Sequence, residues 1–304
     1  MIVVTGENVV DLIAQPDGDL RPVLGGGPAT ISVAASRLGV PAAMAARIGA
    51  DVFGPGFRRR LADAGVDGRH LRQTADPSTL ALVTLDATGS PHFDFWHSGA
   101  ADFGWSEGEL PAMRPGDIVH IGSLVAFLPP GADAVEQWAA ANRPLCTVTF
   151  DPNLRPIALA QTDALERLER LVGLAHVVKV SLDDLRMAYP DTAPEDTVRR
   201  WRDEHGVDLV LLTRGADGVT AYRATGEASA PAPVVPVVDT IGAGDSLMAA
   251  VLACLYRGGD IDLDFICAVA ALACTRPGAN PPTAAEVSAF LEASPATRRP
   301  PVSG

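Results

Sequence analysis

The residues best suited to chemistry in this sequence stand together in Asp239-Thr240-Ile241-Gly242-Ala243-Gly244-Asp245-Ser246. Gly242, Ala243 and Gly244 are small enough for their backbone N–H groups to close on a ligand. An apolar helical pattern follows at Leu247, Met248, Val251, Leu252 and Leu255, so those N–H groups belong to the positive end of a new helix. Such an end cradles an anion, and a phosphoryl group fits it. Asp245 then projects a carboxylate from the first turn. The dipole stabilises that charge, yet a carboxylate repels a phosphate unless something lies between them. A hydroxyl awaiting phosphorylation fits the gap, with Asp245 as the base that takes its proton. Read without its flanks, the same octapeptide is equally a tight turn with a capping aspartate.

The elements that must position these groups read as an α/β chain. Apolar runs at 2–5, 117–122, 146–150, 177–180 and 209–213 alternate with helical patterns at 132–141, 163–173, 195–204, 246–256, 264–274 and 284–292. Continuous apolar strands between amphipathic helices indicate a mostly parallel sheet covered on both faces. Ligands of such sheets bind at the carboxyl ends of the strands. Segments 8–24 and 78–97 break the rhythm with alternating, hairpin-like patterns, for example Leu80, Leu82, Thr84 and then His92, Asp94, Trp96 across a turn at 86–91. They read as a small β-sheet lid on a single domain spanning 1–304, the other reading being an edge extension of the main sheet.

Bulk composition removes several function classes. With 304 residues the chain has room for one large α/β domain and a small appendage. A net charge of −13 argues against nucleic acid or an anionic membrane as partner. An anionic ligand would need local cations or Mg²⁺. Cys146, Cys254, Cys267 and Cys274 sit in apolar runs without metal spacing, which suits reduced core thiols and a cytoplasmic protein. Met1 leads straight into a strand-like run, and the longest apolar helices, near 247–256 and 265–275, are too short to span a bilayer, so neither export nor membrane insertion is expected. Of 24 Lys and Arg residues only Lys179 is lysine, and no Gly-Lys-Ser/Thr exists, so a Walker A loop is excluded. A nicotinamide oxidoreductase finds no support either, since no Gly-x-Gly-x-x-Gly follows the first strand.

With its flanks, Asp239-Thr240-Ile241-Gly242-Ala243-Gly244-Asp245 resembles the signature of the ribokinase/fructokinase, or phosphofructokinase B-type, carbohydrate kinases, and is closest in pattern to fructokinases. Further motifs follow in the family's order from Gly6 to about Pro282. They are Gly6-Glu7 with Asp11, Gly25-Gly26-Gly27-Pro28-Ala29 with Arg37-Leu38-Gly39, and Asp151-Pro152-Asn153-Leu154-Arg155. Lys179-Val180-Ser181-Leu182-Asp183-Asp184, Thr213-Arg214-Gly215-Ala216-Asp217-Gly218 and Ala273-Cys274-Thr275-Arg276-Pro277-Gly278-Ala279 complete the set.

The resemblance implies a ribokinase-like three-layer αβα sandwich with a β lid, and ATP-dependent phosphorylation of a sugar hydroxymethyl group. Fructose is the expected sugar; a 2-keto-3-deoxygluconate kinase or another sugar or nucleoside kinase is the alternative, and a non-catalytic sugar- or nucleotide-binding regulator a third reading. Asp245 is implied as base, with Gly242, Ala243 and Gly244 as the anion hole. The sugar site would draw on Asp11, Gly26, Gly27, Thr30, Asn153, Arg155 and, from the lid, Phe95 and His97. A carboxylate accepting from a hydroxyl makes a strong, orienting bond, which suits Asp11 to gripping a polyol. Lys179, Ser181, Thr213, Gly215 and Gly218 would face the nucleotide. Asp184 would hold Mg²⁺ through water, and K⁺ would sit among Asp239, Ile241, Ala273, Arg276 and Gly278. Lids of the family often pair between subunits, so a homodimer through the lid is expected. The chain departs from the fructokinase pattern at Thr30 for Asn, Asp184 for Glu, Phe95-Trp96-His97 for Phe-Tyr-Arg, Ala100 for Ser, and Pro282 for the serine that ribokinases use.

Overall fold

The computed structural model describes residues 1–15, 17–85 and 91–293. Its strands, in chain order, are β1 (Ile2–Thr5), β2 (Val9–Ala14), β3 (Leu20–Leu24), β4 (Ala42–Gly49), β5 (Leu71–Thr74), β6 (Thr79–Leu85) and β7 (Pro91–Trp96). They continue as β8 (Ile118–Gly122), β9 (Thr147–Asp151), β10 (Val177–Ser181), β11 (Leu209–Thr213), β12 (Val219–Arg223) and β13 (Gly226–Ala230). Nine of them form one sheet in the order β13-β12-β11-β10-β9-β8-β1-β4-β5. From β11 to β5 all neighbours are parallel, and only β12 and β13 run antiparallel at one edge.

The strand sequences explain the layers. Alternate residues of a strand point to opposite faces, and here both sets are apolar. Val3, Val119, Ile121, Val178, Val180, Val210 and Leu212 enter one core with Phe127, Trp138, Leu168 and Trp201. Ile2, Val4, Ile118, Val177, Leu209 and Leu211 enter the other with Ile31, Leu38, Met248, Leu252 and Ile266. Helices must therefore cover both faces, giving three layers. Truncating Phe150, fully buried in the first core, to alanine would cost about 3–5 kcal/mol.

The expected strands and helices recur within a few residues, with helices at Ala132–Asn142, Ala164–Leu174, Pro194–Glu204, Ala243–Tyr256, Leu263–Cys274 and Ala284–Ala293. Beyond those runs lie β4, β5, β12, β13 and the helix Gly54–Asp63. The proline-marked run 233–238 forms no strand, and its Val234, Val237 and Val238 are exposed.

The two segments that broke the rhythm form a separate sheet, β3-β2-β6-β7, so an edge extension of the main sheet is ruled out. Its central pair is parallel, with Val9 opposite Thr79, while both outer pairs are antiparallel. The expected turn at 86–91 lies, but for Pro91, outside the described residues. The lid is rooted by Asp102, which accepts the Asn8 N–H at 2.8 Å and the Thr79 hydroxyl at 2.6 Å. One buried carboxylate thus ties both strands that leave the main body. Val10, Leu12, Leu24 and Leu80 of the lid pack on Ile48 and Phe57, while Trp96 is 56% exposed.

Candidate active site

The sequence motifs meet beyond the carboxyl ends of the parallel strands. Gly6 and Glu7 follow β1, Ser123 follows β8, Asn153 and Arg155 follow β9, Asp184 follows β10 and Gly215 follows β11. Across this rim starts the helix Ala243–Tyr256, capped by Gly242 in the left-handed region at φ 78°. A side chain at Gly242 would meet the Ala279 Cβ at 3.0 Å. Thr240 accepts the Ala243 N–H and Gly242 accepts the Ser246 N–H at 2.9 Å. The N–H groups of Gly244 and Asp245 find no backbone acceptor among the described hydrogen bonds. Ala243, expected in the anion hole, thus spends its N–H on the Thr240 carbonyl at 3.2 Å, and the open dipole-aligned donors of the first turn are those of Gly244 and Asp245.

Lys179 lies directly beneath them. Its Nζ stands 3.2 Å from where a side chain on Gly244 would begin, and it donates to Asp151 Oδ2 at 2.8 Å. Both partners are buried. Burial opposes the charge on Lys179, but Asp151, Asp184 and Asp245 outweigh it and raise its pKa. Burial lifts Asp151 to about 6 against the pull of Lys179. The second oxygen of Asp151 has no partner among the described residues, which leaves a buried acceptor at the floor of the cleft.

Asp245 sits between this floor and the glycine run that follows the lid. A Cβ on Gly27 would stand 3.1 Å from Asp245 Oδ1 and 2.9 Å from Asn153 Nδ2. A Cβ on Gly25 would stand 2.3 Å from Asp11 Oδ2. Only glycine lets Asp11, Asn153 and Asp245 crowd one backbone segment. Burial raises the Asp245 carboxyl, with Lys179, Arg155 and Arg60 opposing. It lifts Asp11 to about 6 against Arg60 and Arg155. A carboxylate with a raised pKa and unspent oxygens is what a general base needs.

Asn153 is held in an unusual backbone state. Its φ of 41° and the φ of 54° at Ser123 are the positive values found outside glycine among the described residues. The two are linked, since Asn153 Nδ2 donates to Ser123 Oγ at 3.4 Å and Ser123 Oγ donates to the buried Glu7 carboxylate at 2.5 Å. Glu7 also accepts the Val125 N–H at 3.2 Å. Strain of this kind persists only where the surroundings fix it, and Glu7 fixes it. Arg155 turns its Nη1 back onto the carbonyls of Asn153 and Leu154, at 3.3 and 2.8 Å.

Other predicted residues fall elsewhere or serve differently. Thr30 is buried with its hydroxyl turned inward, donating to the Gly26 carbonyl at 3.0 Å and accepting from Arg60 at 3.2 Å. It is not offered to a ligand. Ser181 and Asp184 form a capping box for the helix Leu182–Ala188, and Asp184 also accepts the Leu154 N–H at 2.8 Å. Most of its acceptor capacity is thereby spent, which leaves it fit for a contact through water rather than direct ligation; Mg²⁺ keeps several waters and suits that arrangement.

Thr213 stands beside Ser181 in register. Gly215 is left-handed and exposed, and Gly218 is required by the backbone alone, because its Cβ would lie 2.1 Å from the Ala230 carbonyl. Asp239 stitches the two stretches assigned to K⁺, accepting the Ile241 and Gly278 N–H groups at 3.0 and 2.8 Å. The Cys274 carbonyl takes the N–H of Val238 at 2.8 Å, and Ala273 that of Arg276 at 3.3 Å. These hydrogen bonds tie the two stretches together beside the start of the Ala243 helix.

In the lid, Phe95 stacks on Phe93 at 6.1 Å and His97 meets Phe103 edge-on at 6.0 Å. No described contact joins them to Asp245.

Sequence reasoning missed Arg60. It lies on the helix Gly54–Asp63 and donates to the Gly25 carbonyl and to Thr30. A signal was there, since Arg60 follows Phe57 by three residues and adjoins Leu61 on the buried face of the helix, but the run Arg58-Arg59-Arg60 reads first as a solvated basic stretch.

Comparison with known proteins finds relatives of the whole chain. A family model described as pfkB family carbohydrate kinase matches residues 1–286. A fructokinase of Escherichia coli is 33% identical over 261 residues, covering 84% of each chain. The solved fructokinase of Vibrio cholerae O395 with fructose, ADP and calcium ion superposes with TM-score 0.86 at 28% identity, covering 95% of this chain and 98% of that one. Its double mutant was solved with fructose, ADP and potassium ion, also at TM-score 0.86 and 28% identity, over 95% of this chain and 97% of that one. An aminoimidazole riboside kinase from Salmonella enterica, complexed with aminoimidazole riboside and an ATP analog, superposes with TM-score 0.85 at 29% identity, covering 95% and 99%.

Proposed function

We infer the reaction from one premise, that the chain belongs to the pfkB family of carbohydrate kinases. It is an ATP-dependent sugar kinase, and we propose fructose as its sugar. The observation that carries the reading is the position of Asp245, with Gly27 and Asn153 on one side and the Gly244 N–H and Lys179 on the other. A hydroxymethyl group seated against Gly27 would point its hydroxyl at Asp245 and its far side at the anion hole. The likeness to fructokinases of Escherichia coli and Vibrio cholerae supports fructose.

In phosphoryl transfer the protein mainly positions and neutralises. Asp245 takes the hydroxyl proton as the oxygen attacks. The N–H groups of Gly244 and Asp245, with Lys179, stabilise the charge on the transferring group. Asp151 keeps Lys179 aimed and charged. Asp11 and Asn153 orient the sugar, the latter through the Glu7–Ser123 brace. Thr213, Gly215, Gly218 and Ser181 border the nucleotide. Mg²⁺, when bound through water near Asp184, would neutralise the phosphates, and K⁺ beside Asp239, Ile241, Ala273, Arg276 and Gly278 would steady the anion hole.

Closure of the lid would keep water, a rival acceptor, from ATP. The exposed Trp96 on strand β7 supports a homodimer through the lid, for which light scattering should give twice the 31.6 kDa chain mass. The cysteines are free, which suits a cytoplasmic enzyme, and no helix among the described residues is long and apolar enough to cross a membrane.

The test is ADP release with ATP and a panel of ketoses, aldoses, keto-sugar acids and nucleosides. Fructose should give the highest kcat/KM. A riboside or a 2-keto-3-deoxy acid preferred by tenfold would replace it, and no sugar-dependent ADP at all would leave only a binding role.

A further inference from the structure

The sugar end of the cleft holds an arginine that no motif assigns. Arg60 reaches in from the helix Gly54–Asp63, and its Nη1 and Nη2 donate at 3.2 Å to the Gly25 carbonyl and the Thr30 hydroxyl. Neither acceptor is charged, and a guanidinium has five donors, so most of its capacity is unspent. Asp11 approaches the same glycine from the lid strand, its Oδ2 lying 2.3 Å from where a Gly25 side chain would begin. The Asp11 carboxylate, on a strand whose backbone is paired on both sides, takes part in no described side-chain hydrogen bond. Arg60 and Asp11 therefore touch one residue, feel each other's charge, and yet form no ion pair.

A donor and an acceptor held apart across such a gap suit one kind of guest. A hydroxyl accepts on its oxygen and donates its hydrogen, so it can bridge both at once. An anion cannot, because Asp11 and Asp245 would repel it. Charge also balances across the site. Arg60, Arg155 and Lys179 act on Asp11, Asp245 and Asp151, which favours a neutral polyol over a sugar acid.

We propose that Arg60 and Asp11 form one clamp for a single sugar hydroxyl, with Arg60 as a specificity-determining residue for neutral sugars. It takes the place that Thr30, turned inward, leaves open. The proposal rests on the sugar-kinase reading above and adds which side chain reads the sugar.

The test is a cycle on the full-length protein with fructose and its monodeoxy analogues. Arg60→Ala should raise the sugar KM by about 10- to 100-fold, the value of one charge-assisted hydrogen bond, with kcat and the ATP KM within threefold. One deoxy analogue should be poor for the native protein yet lose no further in Arg60→Ala, and the same analogue should be indifferent to Asp11→Asn. Arg60→Lys is the second variant in case the first loosens its helix. An ammonium cannot reproduce the fork, so sugar KM should rise while Tm holds.

Deoxy penalties unchanged in both Arg60 variants would overturn the clamp. So would a loss confined to kcat, or a native preference for a sugar acid over every neutral sugar. Absence of fructose turnover in the native protein counts against the fructose reading instead, and the cycle then runs on the best neutral sugar of the panel.

Discussion

The two ends of the cleft are built on different principles. The phosphoryl end is backbone and buried charge: a helix N-terminus capped by left-handed Gly242, two outward N–H groups, and Lys179 locked to Asp151 at 2.8 Å. The sugar end is side chains across gaps, with Asp11, Arg60 and Asn153 gathered around Gly25–Gly27, where strand β3 of the lid sheet ends. Chemistry common to many acceptors is carried by rigid main chain, where a substitution has nowhere to go. Choice of acceptor is carried by side chains that can be exchanged one at a time.

If this division holds, the largest effects come from the phosphoryl end and fall on kcat. Asp245→Asn should lower kcat by about 10²–10⁴-fold, the usual value of a general base, with sugar and ATP affinity within a few-fold by calorimetry. Retained turnover in a clean preparation would remove Asp245 from the mechanism. Lys179→Met comes next. It leaves Asp151 buried without its partner, so it should destabilise the fold by about 3–5 kcal/mol in urea titrations and lower kcat at least tenfold. A fall in sugar affinity alone would move Lys179 to the other end.

Smaller effects probe how the two ends are held. Replacing K⁺ by Na⁺ at constant ionic strength should slow turnover several-fold through the Asp239 and Gly278 stretches, and equal rates in K⁺, Na⁺ and a bulky organic cation would exclude that site.

The smallest concerns the lid root. Burial lifts Asp102 to about 7 from 3.8, with Thr79 and Asn8 opposing and Glu7 adding to the rise. The folded state therefore binds this proton more tightly than the unfolded one, so the stability linked to Asp102 is full below about pH 4 and is lost as pH rises through 7. Asp102→Asn should flatten the decline in Tm between pH 5 and pH 8, and an unchanged slope would place the titration elsewhere.

The same division governs what could be read from the sequence. Gly242–Asp245 was legible because a helix start and a phosphate impose residue types directly. The αβα layering was legible because both faces of each central strand are apolar. The strand β5 is too short to show a period, and the helix Gly54–Asp63 buries Phe57 and Leu61 on one face but opens on Gly54-Pro55-Gly56, which reads locally as a turn. Thr30 looked like a ligand at its motif position, but its hydroxyl satisfies Gly26 and Arg60. The Glu7–Ser123–Asn153 brace depends on two left-handed residues that no local pattern announces, and Arg60 becomes functional only because the fold places Gly25 and Asp11 beside it.

The most direct measurement of the central claim is the product balance. With ATP, fructose, Mg²⁺ and K⁺, phosphorus NMR should show ADP and one fructose phosphomonoester appearing in equal amounts, and almost no ADP when fructose is left out. ADP accumulating with inorganic phosphate and no sugar phosphate would contradict a cleft built to set a sugar hydroxyl between Asp245 and the glycine cradle.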